Sequence, residues 1–272
     1  DSPLPEITAD LATAADADWE AGQGLSFVAL NALLMRRYMH EFGWEKEHFA
    51  PFAVNAHANA MHNPFARFHE PVSIEKYLKA AMINDPINLM DASPIGDGAA
   101  AALVVPLDQA GSLNRHAPIL VAGSAAATDT LAVHHRKDPL FLKAAYESSQ
   151  KVYAQANVTP QEIDLFELHD AFSIMAALSL EANGFAERGQ GPQLAMDGEI
   201  LIHGKIPIST RGGLKARGHP VGATGMYQIV EVIQQLRGEA EGSQVPEAQI
   251  GMSQNIGGSG SNIITHLFRN LN

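Results

Sequence analysis

The sequence predicts a layered α/β protein, with helices covering a mostly parallel sheet that ends in an antiparallel pair of strands. In the second half of the chain, strand-like apolar runs alternate with helical patterns. Two further apolar runs, 249–254 and 262–268, follow one another near the end, separated by NIGGSGS. The 272 residues are 46% hydrophobic, which is enough for a sizeable buried core in one large domain or two smaller ones. We place a domain boundary near residue 112, giving segments 1–111 and 112–272.

The first segment is predicted to be mostly helical. Helix-start and helix-stop signals indicate a first helix capped by Thr8 or Asp10, and further helices over 25–42, 45–61 and 73–80. Ser73 is the expected N-cap of the last of these. Two apolar runs, 87–91 and 99–106, then predict buried strands on either side of a turn, SPIGDG.

The second segment is predicted to begin with a strand over 118–123 and an amphipathic helix over 138–157. That helix would place Leu142, Ala145, Tyr146, Ser149 and Val152 on one face. Thr159-Pro160-Gln161-Glu162 is a capping box with proline at the first position.

Further elements follow in alternation. They are a strand over 163–168, a helix over 171–183 closed by Gly184, an extended run over 198–208, and a glycine-dense stretch too rich in glycine for a helix interior. The next helix ends at Gly238 and is predicted from apolar residues at helical spacing, namely Met226, Ile229, Val230, Ile233 and Leu236.

Composition excludes several function classes. The formal charge of −12 and a pI near 5.4 argue against nucleic-acid binding, which needs a basic face. No apolar run approaches the roughly 20 residues that span a bilayer, so we expect no membrane span and a cytoplasmic protein. The absence of cysteine excludes a disulfide framework and a thiolate metal site within this chain. Neither His134-His135 nor the pair His57 and His62 has the i, i+4 spacing of two ligands on one helical face, and we expect no metal.

Three loops that follow strand candidates carry the polar chemistry. They contain His169-Asp170-Ala171-Phe172, the turn around His219, and the stretch 255–260. Two histidines and a glycine-rich turn with free amides suit a carbonyl that becomes an oxyanion, because imidazole accepts a proton and N–H groups stabilise the oxygen. Taken singly, each has another reading: a turn histidine at 219, a capping histidine at 169, and a hairpin loop at 255–260.

Taken together, these motifs resemble the thiolase family. GHPVGATG at 218–225, preceded by RGGLKA, comes after HDAF and before NIGGSG, in the family's order. The sequence is most similar to the sterol-carrier-protein-type and archaeal-type acetyl-CoA acetyltransferases. The resemblance implies the thiolase-like layered αβαβα fold. Residues 1–111 would then hold a helical loop domain and the last strands of an incomplete N-terminal domain, and 112–272 the C-terminal domain.

The resemblance also implies an activity in lipid metabolism: thiolytic cleavage or Claisen condensation of coenzyme A thioesters through a cysteinyl acyl-enzyme. The cysteine would lie upstream of this chain. His219 would be its base, and His169 would orient a water or bind the thioester carbonyl. Gly257 would offer its backbone N–H to the oxyanion. The substrate would contact Phe172 and the run 209–214, where Ser209, Arg211, Gly212, Gly213 and Leu214 would line the pantetheine channel.

Some positions depart from the family pattern. Asn255 and Ala171 stand where the family carries its second, acid/base cysteine, and neither exchanges a proton at neutral pH. Arg211 stands where many relatives have serine, and its charge would either meet a CoA phosphate or be solvated.

Coenzyme A is expected as a substrate, with no further cofactor. The expected assembly is a homodimer or a dimer of dimers, with an OB-fold and zinc-ribbon acyl-CoA-binding subunit as a partner. Two other functions stay open at this point: a thiolase-like carbon–carbon lyase or synthase, and a non-catalytic subunit.

Overall fold

The computed structural model describes residues 4–110 and 116–271. Its α-helices, in chain order, are α1 Leu4–Ala12, α2 Phe27–Phe42, α3 Ala50–Ala60, α4 Ile74–Leu78, α5 Leu107–Ala110, α6 Lys143–Ala156, α7 Ser173–Ala182, α8 Gly191–Met196 and α9 Thr224–Leu236. Its strands are β1 Met82–Asn84, β2 Ile87–Asn88, β3 Ile119–Thr128, β4 Leu165–Glu167, β5 Ile250–Gly257 and β6 Asn262–Asn270.

Four of these strands form the main sheet, in the order β3-β6-β5-β4. The predicted antiparallel terminal pair is confirmed, because β5 and β6 run antiparallel. The prediction of a mostly parallel sheet is wrong: β6 also pairs antiparallel with β3, and among the described strands only β4 and β5 run parallel. The reason is that β6 returns from β5 through a short turn and inserts between β5 and β3.

Helices cover both faces of this sheet. A Cβ added at Gly123 of β3 would lie 3.0 Å from Val152 Cβ of α6, and Leu267 pairs with Gly123 in the register. A Cβ added at Gly251 of β5 would lie 2.6 Å from Val232 Cγ1 of α9, and Phe268 pairs with Gly251. Leu267 and Phe268 are successive residues of β6 and therefore point to opposite faces of the sheet. Their partners Gly123 and Gly251 face α6 and α9, so these two helices lie on opposite sides of the sheet. The predicted layered α/β architecture is confirmed.

The main hydrophobic core is shared by both predicted segments. It joins Tyr38, Phe49 and Tyr77 from the first to Phe166 and Leu267 from the second. The predicted boundary near residue 112 falls in 111–115, outside the described residues, and the division at that point stays a prediction.

The helices of the first segment are confirmed with shifted ends. α2 begins after Ser26, whose Oγ accepts from Ala29 N at 3.3 Å. The predicted helix 45–61 divides into a 3₁₀ turn, Lys46–Phe49, and α3. Ser73 caps α4 as predicted, its Oγ accepting from Lys76 N at 3.1 Å. Thr8 and Asp10 are wrong as N-caps, because α1 already begins at Leu4.

Two predicted strands differ from the structure: one does not form, and the other is shorter than predicted. Residues 99–106 form no strand, and Leu103 and Val104 are 83% and 78% exposed. Their apolar run predicts a buried strand, but a strand also needs a neighbour, and no described segment pairs with them. The predicted strand 87–91 shortens to β2, which pairs with β1.

Other elements of the second segment also differ from prediction. The run 198–208 is not extended: Ile206 N–H donates to Glu199 O and Ile208 N–H to Ile200 O, so the chain folds back on itself. The helix predicted from residue 138 begins at Lys143, and its Tyr146 is 44% exposed rather than on the buried face. The capping box of Thr159 and Glu162 is confirmed, on a single 3₁₀ turn.

Candidate active site

Two histidine-containing loops meet beside the sheet. β4 ends at Glu167, two residues before His169, while His219 lies in the turn that precedes α9. The two imidazole rings are perpendicular, with their centroids 5.1 Å apart. The structure therefore brings together the two histidines that the sequence singled out, although they are 50 positions apart.

A single extended segment after β2 holds the backbone of both loops. Ser93 N–H donates to Ala171 O at 2.8 Å. Next along the chain, Pro94 O accepts from His219 N–H at 2.9 Å, and Gly96 N–H donates to His219 O at 3.2 Å. The sequence marked this segment only as a turn. Its backbone bonds fix the two histidine loops relative to each other.

The glycine-dense stretch folds around Asp170, the neighbour of His169. Residues Gly213–Arg217 form one π-helical turn between Gly212 and Gly218, and the stretch contains no longer helix, as its glycine content predicted. Asp170 Oδ1 accepts from Leu214 N–H at 2.7 Å, and Asp170 Oδ2 accepts from Ser209 Oγ at 3.1 Å. Ser209, Gly213 and Leu214 are buried. They support the loop that carries His169, and their predicted contact with pantetheine stays a prediction, as does that of Phe172, the N-cap of α7.

Gly213 leaves no room for a side chain. Its φ is +51°, and an added Cβ would lie 2.5 Å from Asp170 Oδ2 and from Ser209 Oγ. We therefore expect Gly213→Ala to lower the free energy of unfolding by about 1–3 kcal/mol, because Asp170 has to move. Gly222 is the control, since an added Cβ there meets nothing within 4 Å. Urea unfolding of both variants checks this, and equal stability of Gly213→Ala and Gly222→Ala would contradict it.

Arg211 is buried, and Gly212 packs closely against α3. Arg211 is only 3% exposed, and its Nη1 donates to Ala240 O at 2.9 Å and His62 O at 3.2 Å. The solvated alternative is therefore wrong, because backbone carbonyls bind the guanidinium, and the contact with a CoA phosphate stays a prediction. At Gly212 the close neighbour is Ala60, whose Cβ would lie 2.8 Å from an added Cβ.

The third stretch reaches His169 through Asn255, which the structure places within β5 and not in a loop. Asn255 Nδ2 lies 3.2 Å from His169 Nδ1 and 3.0 Å from Gln228 Oε1. Gly257 ends β5, and its carbonyl accepts from the N–H groups of Gly260 and Ser261. The role of the Gly257 N–H in holding an oxyanion stays a prediction.

Both imidazoles are held neutral. Burial lowers the pKa of His169 well below its ordinary value, and the charges of His219 and Arg217 add to the effect. Burial and, next, Arg217 lower the pKa of His219 to about 4. His219 Nδ1 lies 2.7 Å from Thr224 Oγ1. A neutral imidazole whose Nδ1 is already hydrogen-bonded has its Nε2 left to exchange a proton with a reacting group.

Buried charges surround these rings. The Arg217 Nε lies 2.8 Å from Glu231 Oε1, and the Arg217 guanidinium lies 4.9 Å from the Tyr227 ring centroid. Burial raises the pKa of Glu231 to about 8 although Arg217 opposes the shift. Burial lowers the pKa of Lys215 to about 8, and Lys215 Nζ donates to Asp91 O.

Sequence reasoning missed the polar side of α9. The structure buries Thr224, Gln228, Glu231 and Gln235, whereas the apolar residues used to predict this helix, apart from Leu236, are only partly buried. The signal was available, because polar residues spaced by four, three and four positions share one face of a helix. Such a stripe indicates buried hydrogen bonding when it borders a histidine motif.

The remaining histidines show no metal arrangement. His57 is buried with its ring stacked on Phe68, and His134 Nδ1 lies 3.3 Å from Glu20 Oε1. Across 4–110 and 116–271, no three His, Asp or Glu side chains are grouped so that they could hold a metal ion. No helix in the same ranges is long and apolar enough to cross a membrane.

The layered fold, with two histidine loops and Asn255 of β5 meeting beside one sheet, defines an α/β protein with a candidate active site at that place. Residues 125–270 match the family model described as "Thiolase C-terminal domain-like". Together with the relatives below, this match shows that the chain belongs to the thiolase family. The resemblance read from the sequence motifs is confirmed.

Three similar proteins illustrate the range of the family. The chain is 45% identical over 261 residues to an acetyl-CoA acetyltransferase of Methanothermobacter thermautotrophicus, covering 96% of this chain and 68% of the relative. It is 32% identical over 243 residues to benzoylsuccinyl-CoA thiolase subunit BbsB of Thauera aromatica, covering 89% and 63%. The solved structure of an Ltp2-ChsH2(DUF35) aldolase has the same fold, with a TM-score of 0.84 at 24% identity, covering 93% of this chain and 66% of that one.

Proposed function

We propose that the protein transfers acyl groups between coenzyme A thioesters through an acyl-enzyme formed on a thiol. The observation that carries the proposal is the perpendicular pair of neutral imidazoles, His169 and His219, 5.1 Å apart beside the end of β4. Further support comes from the 45% identity to a protein named acetyl-CoA acetyltransferase. The chain contains no cysteine, so the thiol would be contributed from outside these 272 residues.

The proposed reaction has two half-steps. In the first, His219 takes the thiol proton, the thiolate sulfur bonds to the acyl carbonyl carbon, and the carbonyl electron pair moves to oxygen. His169 and the Gly257 N–H would hold this oxyanion until it collapses and expels the leaving group. In the second, His219 takes the proton of the acceptor, which is the thiol of CoA or the α-carbon of a second thioester; the acceptor bonds to the acyl carbon, and the enzyme thiolate is expelled and takes up a proton. Asn255 and Ala171 cannot exchange a proton at neutral pH, so we assign proton return to His219.

The function is tested by incubating the full-length protein with acetoacetyl-CoA in the presence and absence of free CoA. We expect two molecules of acetyl-CoA per acetoacetyl-CoA, formed only when CoA is present, because CoA is the acceptor of the second half-step. Carbon–carbon cleavage that proceeds without CoA would overturn acyl transfer in favour of a lyase. Absence of turnover in both directions would favour a non-catalytic subunit.

A thiolase-like carbon–carbon lyase is the second candidate. It is favoured by Asn255 and Ala171, which remove both of the family's usual acid/base cysteines. The fold is also compatible with it, because a protein named as an aldolase shares this fold. Retention of the Gly-His-Pro turn favours acyl transfer over the lyase.

We further propose that the protein works as an oligomer, a homodimer or a dimer of dimers, and with a second subunit that binds acyl-CoA through an OB-fold and a zinc ribbon. The support is that one relative is named as a thiolase subunit and that a protein of the same fold is named together with ChsH2.

A further inference from the structure

A chain of side-chain hydrogen bonds, buried at Gln228 and partly buried at Asn255, runs from backbone carbonyls through α9 to His169. We propose that Gln228 and Asn255 fix His169 in the tautomer that carries its proton on Nε2, which makes His169 a hydrogen-bond donor to the substrate oxygen and not a base. The tautomer follows from the contacts alone, while the role toward substrate rests on the proposed acyl transfer. Gln228 is then a positioning residue that acts through Asn255.

Two backbone carbonyls fix the orientation of the Gln228 amide. Gln228 is fully buried, and its Nε2 lies 3.0 Å from Gln254 O and 3.2 Å from Glu167 O. Both partners are carbonyls, which only accept. A flipped amide would put a third carbonyl oxygen against these two, at the cost of two hydrogen bonds in a buried place. The Oε1 of Gln228 is therefore the end that faces Asn255, as an acceptor.

The orientation of the Gln228 amide determines which atom of Asn255 faces it, and therefore which nitrogen of the His169 ring carries the proton. Asn255 Nδ2 lies 3.0 Å from Gln228 Oε1, so the atom facing that acceptor is the amide NH₂. The same nitrogen lies 3.2 Å from His169 Nδ1. Its second hydrogen points to a ring nitrogen that has to accept, and Nδ1 therefore carries the lone pair. In a neutral ring the proton is then on Nε2.

The two histidines thereby receive different roles. His169 has no free acceptor nitrogen, because Asn255 occupies Nδ1 and Nε2 is protonated, so it donates to the carbonyl oxygen directly. His219 Nδ1 lies 2.7 Å from the Thr224 hydroxyl, which can accept a hydrogen bond, and with the proton on Nδ1 the Nε2 of His219 is the acceptor for the thiol proton. His169 therefore donates a hydrogen bond and His219 accepts a proton, and their ring centroids lie 5.1 Å apart. A carbonyl that becomes an oxyanion needs a donor of this kind beside the base.

The tautomer is measured directly by long-range ¹H–¹⁵N correlation spectra of the imidazole rings in the full-length protein. In the wild type we expect His169 with Nε2 protonated and Nδ1 unprotonated at neutral pH. Asn255→Asp is the decisive variant, because a carboxylate in the same place only accepts. We expect it to move the His169 proton to Nδ1, and to lower kcat more than it raises KM.

Gln235 provides the matched control for Gln228. It is also buried on α9, two turns further along, and its Nε2 donates to Ser243 O at 2.8 Å while its Oε1 accepts from Val245 N at 2.8 Å. We expect Gln228→Leu to give a mixture of His169 tautomers and Gln235→Leu to leave Nε2–H unchanged.

A wild-type His169 that is charged at neutral pH or protonated on Nδ1 would overturn the inference, as would Asn255→Asp with Nε2–H retained. The wild-type spectrum decides even if a variant fails to fold. It requires no turnover, so it stands apart from the test of acyl transfer.

Discussion

Replacement of His219 by glutamine is expected to lower kcat/KM for CoA-dependent acyl transfer by roughly 10²–10⁴-fold, the usual effect of losing a general base. Glutamine keeps a polar side chain of similar reach but cannot take a proton. The backbone bonds that hold the turn, from Pro94 and Gly96 to residue 219, do not involve the side chain and are kept. The loss is therefore expected in catalysis and not in folding.

Steady-state kinetics of the full-length protein with acetoacetyl-CoA and CoA check this loss. His203 is exposed and serves as the control, since His203→Gln is expected to leave kcat/KM unchanged. A decrease of less than about tenfold in His219→Gln would contradict the assignment of this residue as the base.

The pH dependence follows from the same side chain. Because the folded-state pKa of His219 is about 4 and its ordinary value is 6.5, the imidazole is in its base form well above pH 4. We expect the acidic fall of kcat/KM that His219 causes to lie near pH 4. Between those two values the unfolded chain binds more protons than the folded one. The contribution of His219 to stability is therefore complete above pH 6.5 and is lost as the pH falls toward 4.

Arg217→Met is expected to lower the free energy of unfolding by about 1–3 kcal/mol, because it leaves the buried Glu231 carboxyl, whose raised pKa lets it hold a proton, without its partner. The side chains of Arg217 and Glu231 are 1% and 4% exposed, and their Nε and Oε1 atoms lie 2.8 Å apart. The variant also loses the guanidinium contact with the Tyr227 ring. The damage would fall on the segment that leads directly into His219.

Urea unfolding of Arg217→Met and of the double variant Arg217→Met with Glu231→Leu checks this effect. Replacing both charges by apolar side chains is expected to recover most of the lost stability. Lys79 forms an exposed pair with Glu75, and Lys79→Met is expected to cost less than about 1 kcal/mol. A single variant at Arg217 as stable as the Lys79 control would show that this buried pair does not stabilise the fold.

The sequence could predict which loops form the site, because residues that directly follow neighbouring strands meet at one edge of a sheet. His169 follows β4, and Asn255 lies near the end of β5. These two strands are paired in parallel, so the two side chains meet at one edge of the sheet. The resemblance supplied the roles of His169 and His219. The strand order of the sheet was harder to predict from the sequence, because the pairing of β6 with both β3 and β5 depends on contacts between distant segments.

What local sequence could not predict is burial that distant residues create. Arg211 reads as an exposed cation beside glycines, yet carbonyls at positions 62 and 240 bind it in the interior. Residues 99–106 are an apolar run that predicts a strand, but they have no described neighbour to pair with. Gln228 was overlooked because a polar residue on a helix is usually solvated, and here backbone carbonyls at 167 and 254 bind its amide.

Mass spectrometry of the full-length protein after brief exposure to acetyl-CoA tests the proposed chemistry most directly. The account predicts a covalent acyl group on one cysteine thiol in the wild type, formed far more slowly in His219→Gln and at the wild-type rate in His203→Gln. An acyl group that forms equally fast without the imidazole at position 219, or no acyl group on any thiol, would contradict it.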